Sequence, residues 1–579
     1  MISVIELPFE DSRRLTGPNP WFASPGAVLE TTGAGTPTPD RLAAWRSHVV
    51  RMFKHLDWPV GEIVARVHQG GASLALAAPA DRLLCATEVN EWAWATACGQ
   101  VAGLAPGHPA SWDEAQAVAT LTVMARTEAA PAWLALIEAA DAHGLPVLWG
   151  EDQISLGSGV GGRDYPEAEP PSPASVPWAT IHAIPTALVT GSNGKTTTVR
   201  VLAAMLRASG RRVGLSCTDG LFVEGERIES GDYSGPVGTR TVLRRRDIEA
   251  AVLETARGGI LRRGLAVARA DTAIVTNISA DHFGEYGVHT LADLAQAKLT
   301  VARAIDANGL LVLNADDPVL RAAAPSLEVP IGWFSLQADA SLPETTATHP
   351  LCLQHDDHLW LYPQGSNHAG IDLGSVSAMP LTVGGLAHYN LANLAGAVLM
   401  AQAMGVEIAT IIAILARFGA DNADNRGRLE HWNLDGVQVW LDFAHNPEGI
   451  TGLLDIVAAQ RGHGRLGLIL GHAGNRLDAD IQAVAHTAAG YRPDRVVLKE
   501  ISGYERGRAL GEVAGLMRAV LLTDGVRSEA IDFIADETEA ARSLLDWARP
   551  GDHLVLLIHA LDAKQSVRDM LDARAAAPR

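Results

Sequence analysis

The amino-acid sequence predicts a multidomain α/β protein with a small N-terminal α/β domain, a central domain built on a parallel sheet, and a C-terminal doubly wound, Rossmann-like domain. Length is the first observation, since 579 residues exceed what one hydrophobic core usually supports. From residue 184 onward, short β-rich apolar runs alternate with helical runs, which is typical of a parallel sheet flanked by helices. A glycine-rich turn also joins an apolar run to an amphipathic run within 187–208.

Composition is that of an ordinary soluble protein. Hydrophobic residues make up 47% of the sequence, and the formal net charge of −20 argues against nonspecific binding to nucleic acid or to anionic membranes. Four scattered cysteines without C-x-x-C spacing indicate neither a disulfide framework nor a zinc site. Because no signal peptide and no apolar run of membrane-spanning length is found, the sequence predicts a cytoplasmic protein.

Domain boundaries follow from composition and from the rhythm of the apolar runs. A stretch rich in Gly and Pro, 157–177, separates the N-terminal third from the rest of the chain. The predicted divisions are an N-terminal domain at 1–160, a linker at 161–180, a central domain at 181–426 and a C-terminal domain at 427–579.

Individual elements are predicted within these divisions. The N-terminal domain is expected to have helices near 113–125 and 131–143, with Trp92, Trp94, Trp112 and Trp133 in the core. Alternating apolar residues on both sides of a polar tip predict a β-hairpin at 351–362. The predicted strands are 250–253, 272–276 and 310–313 in the central domain, and 437–441, 466–470, 495–498 and 553–558 in the C-terminal domain.

The run 187–198, ALVTGSNGKTTT, has the composition of a nucleotide phosphate loop. Small residues let a phosphate approach the backbone, and N–H groups at the start of a helix bind anions. We expect Lys195 to reach the terminal phosphates and Thr196 to bind magnesium. The loop residues expected to surround the phosphates are Gly191, Ser192, Asn193, Gly194 and Thr197. Val189 stands where the first glycine of the pattern G-x-x-x-x-G-K-[ST] would be.

Two other apolar runs end in polar residues. Glu254 ends the run 251–254, and a carboxylate at the carboxyl edge of a sheet can hold magnesium against phosphates. Asp281 and His282 follow another predicted strand in the sequence TNISADH. A lone histidine is more often structural, but His282 is the third polar group that these strands bring to one edge.

In this order, the motifs resemble those of the Mur ligase family, which carries T-G-[ST]-N-G-K-T-[ST], a strand-end Glu and T-N-[ILV]-x-x-D-H. The resemblance implies ATP and two Mg²⁺ ions, and it implies that Lys298 is carbamylated so that a carbamate oxygen binds the second Mg²⁺. Metal ligands are then Thr196, Glu254, His282 and carbamylated Lys298. The pair at 390–393 resembles the family's N-x-x-N near the adenine, which gives Asn390 and Asn393 a nucleotide role.

Two motifs at the start of the last domain extend the resemblance. The run GRLE at 427–430 resembles G-R-x-E, which implies that Arg428 reaches the nucleotide phosphates. The run DFAHNP at 442–447 places Asp442 near the ribose and His445 beside the reacting groups. The implied catalytic set is Lys195, Glu254, His282, Lys298, Arg428 and His445.

Longer stretches resemble the cyanophycin synthetases within this family. These are CTDG at 217–220, GDYSGP at 231–236 and ETARGGILR at 254–262, with a shorter likeness in LTGPNPW at 15–21. The stretch 157–177 leaves no room for the ATP-grasp domain that those enzymes carry between their N-terminal and Mur-like parts. The residues expected to contact an acceptor are Asp219, Asp232, Ser234, Arg257 and Arg262, although the two arginines equally fit a solvated surface.

The resemblance implies an ATP-dependent acid–amino-acid ligase that forms ADP and phosphate. A substrate carboxylate attacks the γ-phosphate, and an amine then attacks the resulting acyl phosphate to form an amide. The implied partners are a small-molecule or short-peptide acceptor with an aspartate-type carboxylate and an amino-acid amine such as arginine or lysine, with no nucleic acid and no membrane. Two alternatives stay open, a P-loop NTPase or kinase and a ligase-derived binding protein without catalysis. The sequence does not fix the oligomeric state, and a homo-oligomer remains an option.

Overall fold

Three regions of secondary structure follow one another in a computed structural model of the chain. The residues described are 7–32, 35–99, 103–105, 111–150, 152–280, 283–337, 349–363 and 370–576. Helices and strands are both abundant in these ranges, which confirms the predicted α/β class.

The N-terminal region begins with a small antiparallel sheet covered by helices. Its elements are β1 (Phe9–Leu15), β2 (Gly26–Thr31), α1 (Pro39–His55), β3 (Ile63–His68), β4 (Gly71–Ala77), α2 (Leu83–Ala97), β5 (Gly103–Leu104), β6 (Ser111–Trp112), α3 (Glu114–Glu128), α4 (Pro131–Ala142), β7 (Val147–Trp149), β8 (Gln153–Leu156) and β9 (Arg163–Pro166). The main sheet has the order β1-β2-β4-β3. Trp92, Trp94 and Trp133 are buried, as expected of core residues, whereas Trp112 is only half-buried.

Part of the predicted linker, 161–180, belongs to this region's fold. Strand β9 lies inside it and pairs antiparallel with β8, which in turn pairs with β7. The Trp178 ring then stacks on His143 with 4.7 Å between ring centroids. Pairing with β8 satisfies backbone hydrogen-bonding groups that a solvated linker would leave to water. Composition alone does not predict this pairing.

The central region is a large mixed sheet with helices on both faces. Its elements are β10 (Thr186–Thr190), α5 (Lys195–Ala208), β11 (Val213–Cys217), β12 (Gly220–Val223), β13 (Glu226–Glu229), α6 (Pro236–Leu243), β14 (Ala250–Glu254), α7 (Arg257–Arg263), β15 (Ala270–Val275), α8 (Leu291–Lys298), β16 (Ile305–Asn314), α9 (Pro318–Ala323), β17 (Ile331–Ser335), β18 (Leu351–His355), β19 (His358–Tyr362), β20 (Ile371–Ser375), α10 (His388–Ala403) and α11 (Ile408–Leu415).

The order of this sheet, over the described part of the chain, is β13-β12-β11-β14-β10-β15-β16-β17-β18-β19-β20. The strands from β11 to β18 in this order are parallel, as predicted. At one edge β12 and β13, and at the other β19 and β20, each pair antiparallel with the preceding strand. The predicted hairpin at 351–362 is confirmed as β18 and β19. Leu202 and Val398 fill the core on one face of the sheet, and Leu253 and Leu294 fill it on the other.

Three neighbouring strands place the predicted site at one edge. Val189 of β10 lies beside Glu254 of β14 and Ile274 of β15 in parallel register. The carboxyl ends of the three strands therefore meet, and α5 begins at Lys195 directly after the turn that follows β10.

The C-terminal region is a second sheet of doubly wound type, as predicted. Its elements are β21 (Glu430–Leu434), β22 (Val437–Asp442), α12 (Pro447–Arg461), β23 (Leu466–Leu470), α13 (Asp478–Gly490), β24 (Arg495–Leu498), α14 (Glu512–Thr523), β25 (Ile531–Phe533), α15 (Glu537–Trp547), β26 (His553–Leu557) and α16 (Leu561–Ala576). The strand order is β21-β22-β26-β23-β24-β25, with only β21 antiparallel among these described strands. Helices α12 to α14 pack on one face of the sheet, and α15 and α16 pack on the other.

No helix within the described ranges combines the length and the apolar character needed to cross a membrane.

Candidate active site

A cavity of about 380 Å³ lies between the carboxyl edge of the central sheet and the C-terminal region. Its wall contains most of the nucleotide and catalytic residues expected from the sequence. These are Ser192, Asn193, Gly194, Lys195, Thr196, Thr197, Glu254, Asn390, Asn393, Arg428, Asp442 and His445. Gly191 and Lys298 lie directly behind this wall, where the Lys298 Nζ donates a hydrogen bond to the Gly191 carbonyl at 2.8 Å.

The phosphate loop depends on two glycines with left-handed backbone. Gly191 has φ of 147° and Gly194 has φ of 84°. A Cβ atom at Gly191 would lie 1.8 Å from the Thr276 hydroxyl oxygen, and one at Gly194 would lie 2.0 Å from the Asn393 amide oxygen. No side chain therefore fits at either position without displacing a neighbour, so the turn into α5 requires glycine at both.

Lys195 and Asn193 hold the loop in shape. The Lys195 Nζ donates to the carbonyls of Gly191 and Ser192 at 3.0 and 2.9 Å. The Asn193 carbonyl accepts a hydrogen bond from the Thr276 hydroxyl at 2.6 Å. Its side chain accepts from Asn446 at 3.0 Å and donates to Glu448 at 2.8 Å, so the loop is tied to the C-terminal region.

Glu254 is the center of an oxygen-rich group next to the loop. Its carboxylate accepts a hydrogen bond from the Thr196 hydroxyl at 2.8 Å and another from the Thr218 hydroxyl at 2.9 Å. The carboxylate is 1% exposed. Carboxylate and hydroxyl oxygens are ligands that Mg²⁺ prefers, so the residues present fit that ion.

The two remaining predicted metal ligands are Lys298 and His282. Lys298 ends α8 and is buried against the phosphate loop. Asp281 and His282 lie outside the described residues. Within the described ranges, no group of three or more His, Cys, Asp or Glu side chains is arranged to hold a metal ion.

The C-terminal region supplies the opposite wall. Arg428 donates to the Thr196 hydroxyl at 3.4 Å, and its guanidinium lies 4.4 Å from the center of the Phe443 ring. Asp442 accepts hydrogen bonds from the backbone N–H groups of Leu429 and Ala444, both at 2.7 Å. Burial raises the pKa of the Asp442 carboxyl above its usual range, against the opposing effect of Arg428. The His445 Nδ1 lies 3.1 Å from the Phe443 carbonyl oxygen.

Asn390 and Asn393 form a buried pair on α10. The Asn393 side chain donates to the Asn390 amide oxygen at 3.3 Å, and Asn390 donates to the Leu381 carbonyl at 3.2 Å. Since Asn393 also lies against Gly194, the pair supports the phosphate loop as well as lining the cavity.

The five residues expected to contact an acceptor do not line this cavity. Asp219 is 6% exposed and has both carboxylate oxygens engaged, by Lys564 at 2.5 Å and by Arg200 at 2.8 Å. The exposed Asp232 carboxylate accepts hydrogen bonds from the Ser234 N–H at 3.0 Å and from its hydroxyl at 2.6 Å.

The two arginines that are predicted to contact the acceptor substrate differ in their exposure. Arg257 is 5% exposed and pairs with Glu285 at 2.5 Å, so it is not a surface arginine. Arg262 is exposed, and its Nε donates to the Tyr286 hydroxyl at 2.7 Å.

Sequence reasoning missed two buried lysines beside the cavity, Lys499 and Lys564. Lys499 directly follows β24, is fully buried, and contacts Glu537 and the His559 Nδ1, the latter at 2.7 Å. A signal was present, because only five of the 46 lysine and arginine residues in the chain are lysines. Of these five, only Lys54 is exposed.

Two domain families match most of the chain outside the N-terminal region. Residues 189–401 match the Mur ligase middle domain, and residues 427–557 match the Mur ligase glutamate ligase domain. The sequence is 34% identical over 371 residues to the cyanophycin synthetase of Synechocystis sp., an alignment that covers 64% of this chain and 42% of that enzyme. The chain thus spans about two fifths of the length of that relative.

More distant similarities extend to cell-wall ligases. The chain is 26% identical over 412 residues to the UDP-N-acetylmuramoyl-L-alanyl-D-glutamate--2,6-diaminopimelate ligase of Corynebacterium efficiens, with 66% of this chain and 73% of that enzyme covered. The solved structure of a murein peptide ligase from Psychrobacter arcticus aligns with 68% of this chain and 78% of its own, at 18% identity and a TM-score of 0.47.

Proposed function

The chain belongs to the Mur ligase family, and we propose that it is an ATP-dependent ligase that joins a carboxylate to an amine through an acyl phosphate. One observation carries the proposal. The phosphate loop of the central region and the Asp442–Asn446 loop of the C-terminal region face each other across a single cavity of about 380 Å³. A site of this kind suits a reaction in which a nucleotide and a second reactant must meet away from water.

The residues that would hold ATP and magnesium are those already described. The loop N–H groups, Lys195 and Arg428 would bind phosphates, while Thr196 and Glu254 would bind Mg²⁺. Bound magnesium neutralises charge on the phosphoryl group. Because phosphoryl transfer depends mostly on alignment and charge neutralisation, these cationic and hydrogen-bonding groups are the parts that the reaction needs.

Closure of the cavity follows from contacts between the two regions. Asn193 contacts both Asn446 and Glu448 across the interface. An acyl phosphate reacts readily with water, so contacts that keep the two walls together favour attack by an amine over hydrolysis.

We infer that Lys298 is carbamylated in the active protein and that its carbamate contributes to a second metal site with His282. The inference is supported by the burial of Lys298 and by its contact with Gly191. Mass spectrometry of the intact protein under CO₂, compared with a Lys298→Met variant, measures the added CO₂ directly.

We further propose an acceptor with an aspartate-type carboxylate, in a small molecule or short peptide, and arginine or lysine as the amine. Similarity to cyanophycin synthetase supports this choice. Arg262 is exposed on α7, which follows the Glu254 strand, and a cation there suits a carboxylate-bearing acceptor.

The test combines ATP and magnesium with pairs of aspartate-containing acceptors and amines, while phosphate release and product mass are followed. The proposal predicts that release requires both partners and that the product is lighter than their sum by one water. Lys195→Met should abolish release, whereas the matched variant Lys54→Met, at an exposed lysine of α1, should not. Release without an amine would instead favour an NTPase, and ATP binding without release for any pair would favour a binding protein.

A further inference from the structure

Asp219 and Lys564 form a buried ion pair between the central and C-terminal regions. Asp219 follows β11, and Lys564 lies in the first turn of α16. The Lys564 Nζ donates to the Asp219 Oδ1 at 2.5 Å, and Arg200 of α5 donates to the Oδ2 at 2.8 Å. Asp219 is 6% exposed and Lys564 is 4% exposed. A buried pair of this kind resists separation, because each partner alone would be an uncompensated charge.

Arg428 and Lys564 lie near the same two side chains, Asp219 and Phe443. Its Nη1 lies 3.7 Å from the Asp219 Oδ2. The Arg428 guanidinium lies 4.4 Å from the center of the Phe443 ring, and the Lys564 Nζ lies 4.7 Å from the same ring. Three cationic side chains, Arg200, Arg428 and Lys564, therefore surround the Asp219 carboxylate beside the phosphate loop.

The pKa of Asp219 agrees with its position among three cationic side chains. Burial would raise the pKa of its carboxyl, but Arg428, Lys564 and Arg200 together hold that pKa well below its usual range. The carboxylate is thus ionised throughout the physiological pH range. Each of its oxygens already has a hydrogen-bond donor without Arg428.

The backbone on both sides of Arg428 is in the left-handed region. Gly427 has φ of 74° and Leu429 has φ of 53°, so Arg428 lies between two left-handed residues. Such a conformation is costly for leucine and persists only where its surroundings hold it. Nearby, Asn425 donates to the Thr197 hydroxyl at 3.3 Å, and Arg200 donates to the Arg426 carbonyl at 2.5 Å.

We propose that Asp219 and Lys564 form a latch that holds the C-terminal region closed over the phosphate loop and frees Arg428 to turn from Asp219 to a nucleotide phosphate. Lys564 acts as a positioning residue, since it contacts Asp219 and Phe443 and does not line the cavity. Because Asp219 keeps Lys564 and Arg200, the departure of Arg428 leaves the Asp219 carboxylate paired. The proposal deepens the proposed function and rests on it for the phosphate role of Arg428.

The test compares Lys564→Met with the matched variant Arg574→Gln, which removes a cation from the same helix but breaks only the exposed pair with Asp546. The probe is AMP-PNP with Mg²⁺, its affinity is measured by calorimetry, and closure is measured as the change in radius of gyration in solution scattering. Lys564→Met should weaken binding by about tenfold and reduce the compaction, whereas Arg574→Gln should change affinity by less than about twofold.

A double-mutant cycle measures the coupling between Asp219 and Lys564. If Asp219 and Lys564 act together, adding Lys564→Met to Asp219→Asn should weaken AMP-PNP binding by much less than the same change does in the native chain. Additive losses, or wild-type affinity and compaction in Lys564→Met, would overturn the latch.

Hydrogen exchange in the unmodified chain measures the same closure without any substitution. AMP-PNP should slow exchange at the amides of 425–430 and in the first turn of α16, and unchanged exchange at both would overturn the proposal. The outcome is separable from that of the ligase assay. A chain that closes on AMP-PNP through Lys564 but forms no amide would retain the latch and lose the proposed function.

Discussion

Single residues decide the shape of the phosphate loop, and Gly194 does so through both its backbone and its neighbour. It has φ of 84°, and a Cβ atom there would lie 2.0 Å from the Asn393 amide oxygen. Motif spacing identified the glycine, but the packing of Asn393 against it depends on helix α10, almost 200 residues later in the chain. The resemblance of the N-x-x-N motif predicts that Asn393 lies near the adenine, whereas its contact with the loop follows only from the fold.

The substitution Gly194→Ala should weaken ATP binding by about tenfold or more, because displacing the loop removes several charge-assisted hydrogen bonds to phosphate. Gly210→Ala is the matched control, since Gly210 has φ of 88° but open space around its Cβ position. It should cost about 1 kcal/mol of stability and leave ATP affinity unchanged. Equal ATP affinities in the two variants, measured by calorimetry, would contradict the account of the loop.

A second residue-scale expectation concerns pH. Burial within α2 raises the pKa of the Glu91 carboxyl to about 7, from an ordinary value of 4.5. An acid with a raised folded-state pKa contributes stability that is present below pH 4.5 and is lost as the pH rises through 7.

The variant Glu91→Gln should therefore gain stability relative to the native chain between pH 4 and pH 8, on the order of 2 to 3 kcal/mol. Urea unfolding at the two pH values measures this difference, with Glu539→Gln, an exposed position in α15, as the control. Parallel pH profiles for native chain and Glu91→Gln would refute the raised pKa.

At the scale of elements, buried charges join strand ends to helices in the C-terminal region. Lys499 after β24 contacts Glu537, the first residue of α15, and Glu537 accepts the N–H groups of His559 and Ala560 after β26 at 2.8 and 2.9 Å. The His559 Nε2 lies 3.3 Å from the Ala444 carbonyl oxygen, in the loop that carries His445. Burial, with Lys499 as the next cause, lowers the pKa of His559 well below its usual value. A neutral His559 that accepts from Lys499 and donates to Ala444 satisfies all of these contacts.

Removal of the buried Lys499 ammonium group should destabilise the fold. We expect Lys499→Met to destabilise the fold by about 3 to 5 kcal/mol, because it leaves Glu537 buried without its cation. Arg542→Gln in α15 removes the exposed pair with Glu539 and should cost about 0.5 kcal/mol or less. Thermal melts compare the two variants, and similar melting temperatures would show that the buried pair contributes little.

Elements also show where sequence patterns stop being informative. The strands of the central sheet and the hairpin at 351–362 were predictable, because apolar periodicity is local. The acidic stretch 224–232 has no apolar period, yet it contains β13, an edge strand with exposed side chains. Likewise β9 lay hidden in a segment rich in glycine and proline. Edge strands with both faces polar carry no apolar period, so their pairing depends on a neighbour that only the fold supplies.

At the scale of the whole molecule, the central and C-terminal regions form the cavity, and the N-terminal region packs on the central one. The N-terminal region braces the central one near the predicted acceptor residues, since Arg13 donates to the Leu261 carbonyl at 2.8 Å and Arg66 donates to the Gly287 carbonyl at 3.1 Å. The motifs predicted that the central and C-terminal regions share a site. They did not predict the latch, because Asp219 and Lys564 are separated by 345 positions and neither contact has a local sequence signature.

An isotope experiment tests the central claim most directly. Acceptor labelled with ¹⁸O in its carboxylate is incubated with ATP, magnesium and the amine that supports turnover, and the released phosphate is examined by mass spectrometry. An acyl phosphate requires that one carboxylate oxygen leave with the phosphate, so the account predicts ¹⁸O in phosphate in proportion to amide formed. Unlabelled phosphate would mean that the acceptor carboxylate never bonds to the γ-phosphate, and the acyl-phosphate mechanism would be contradicted.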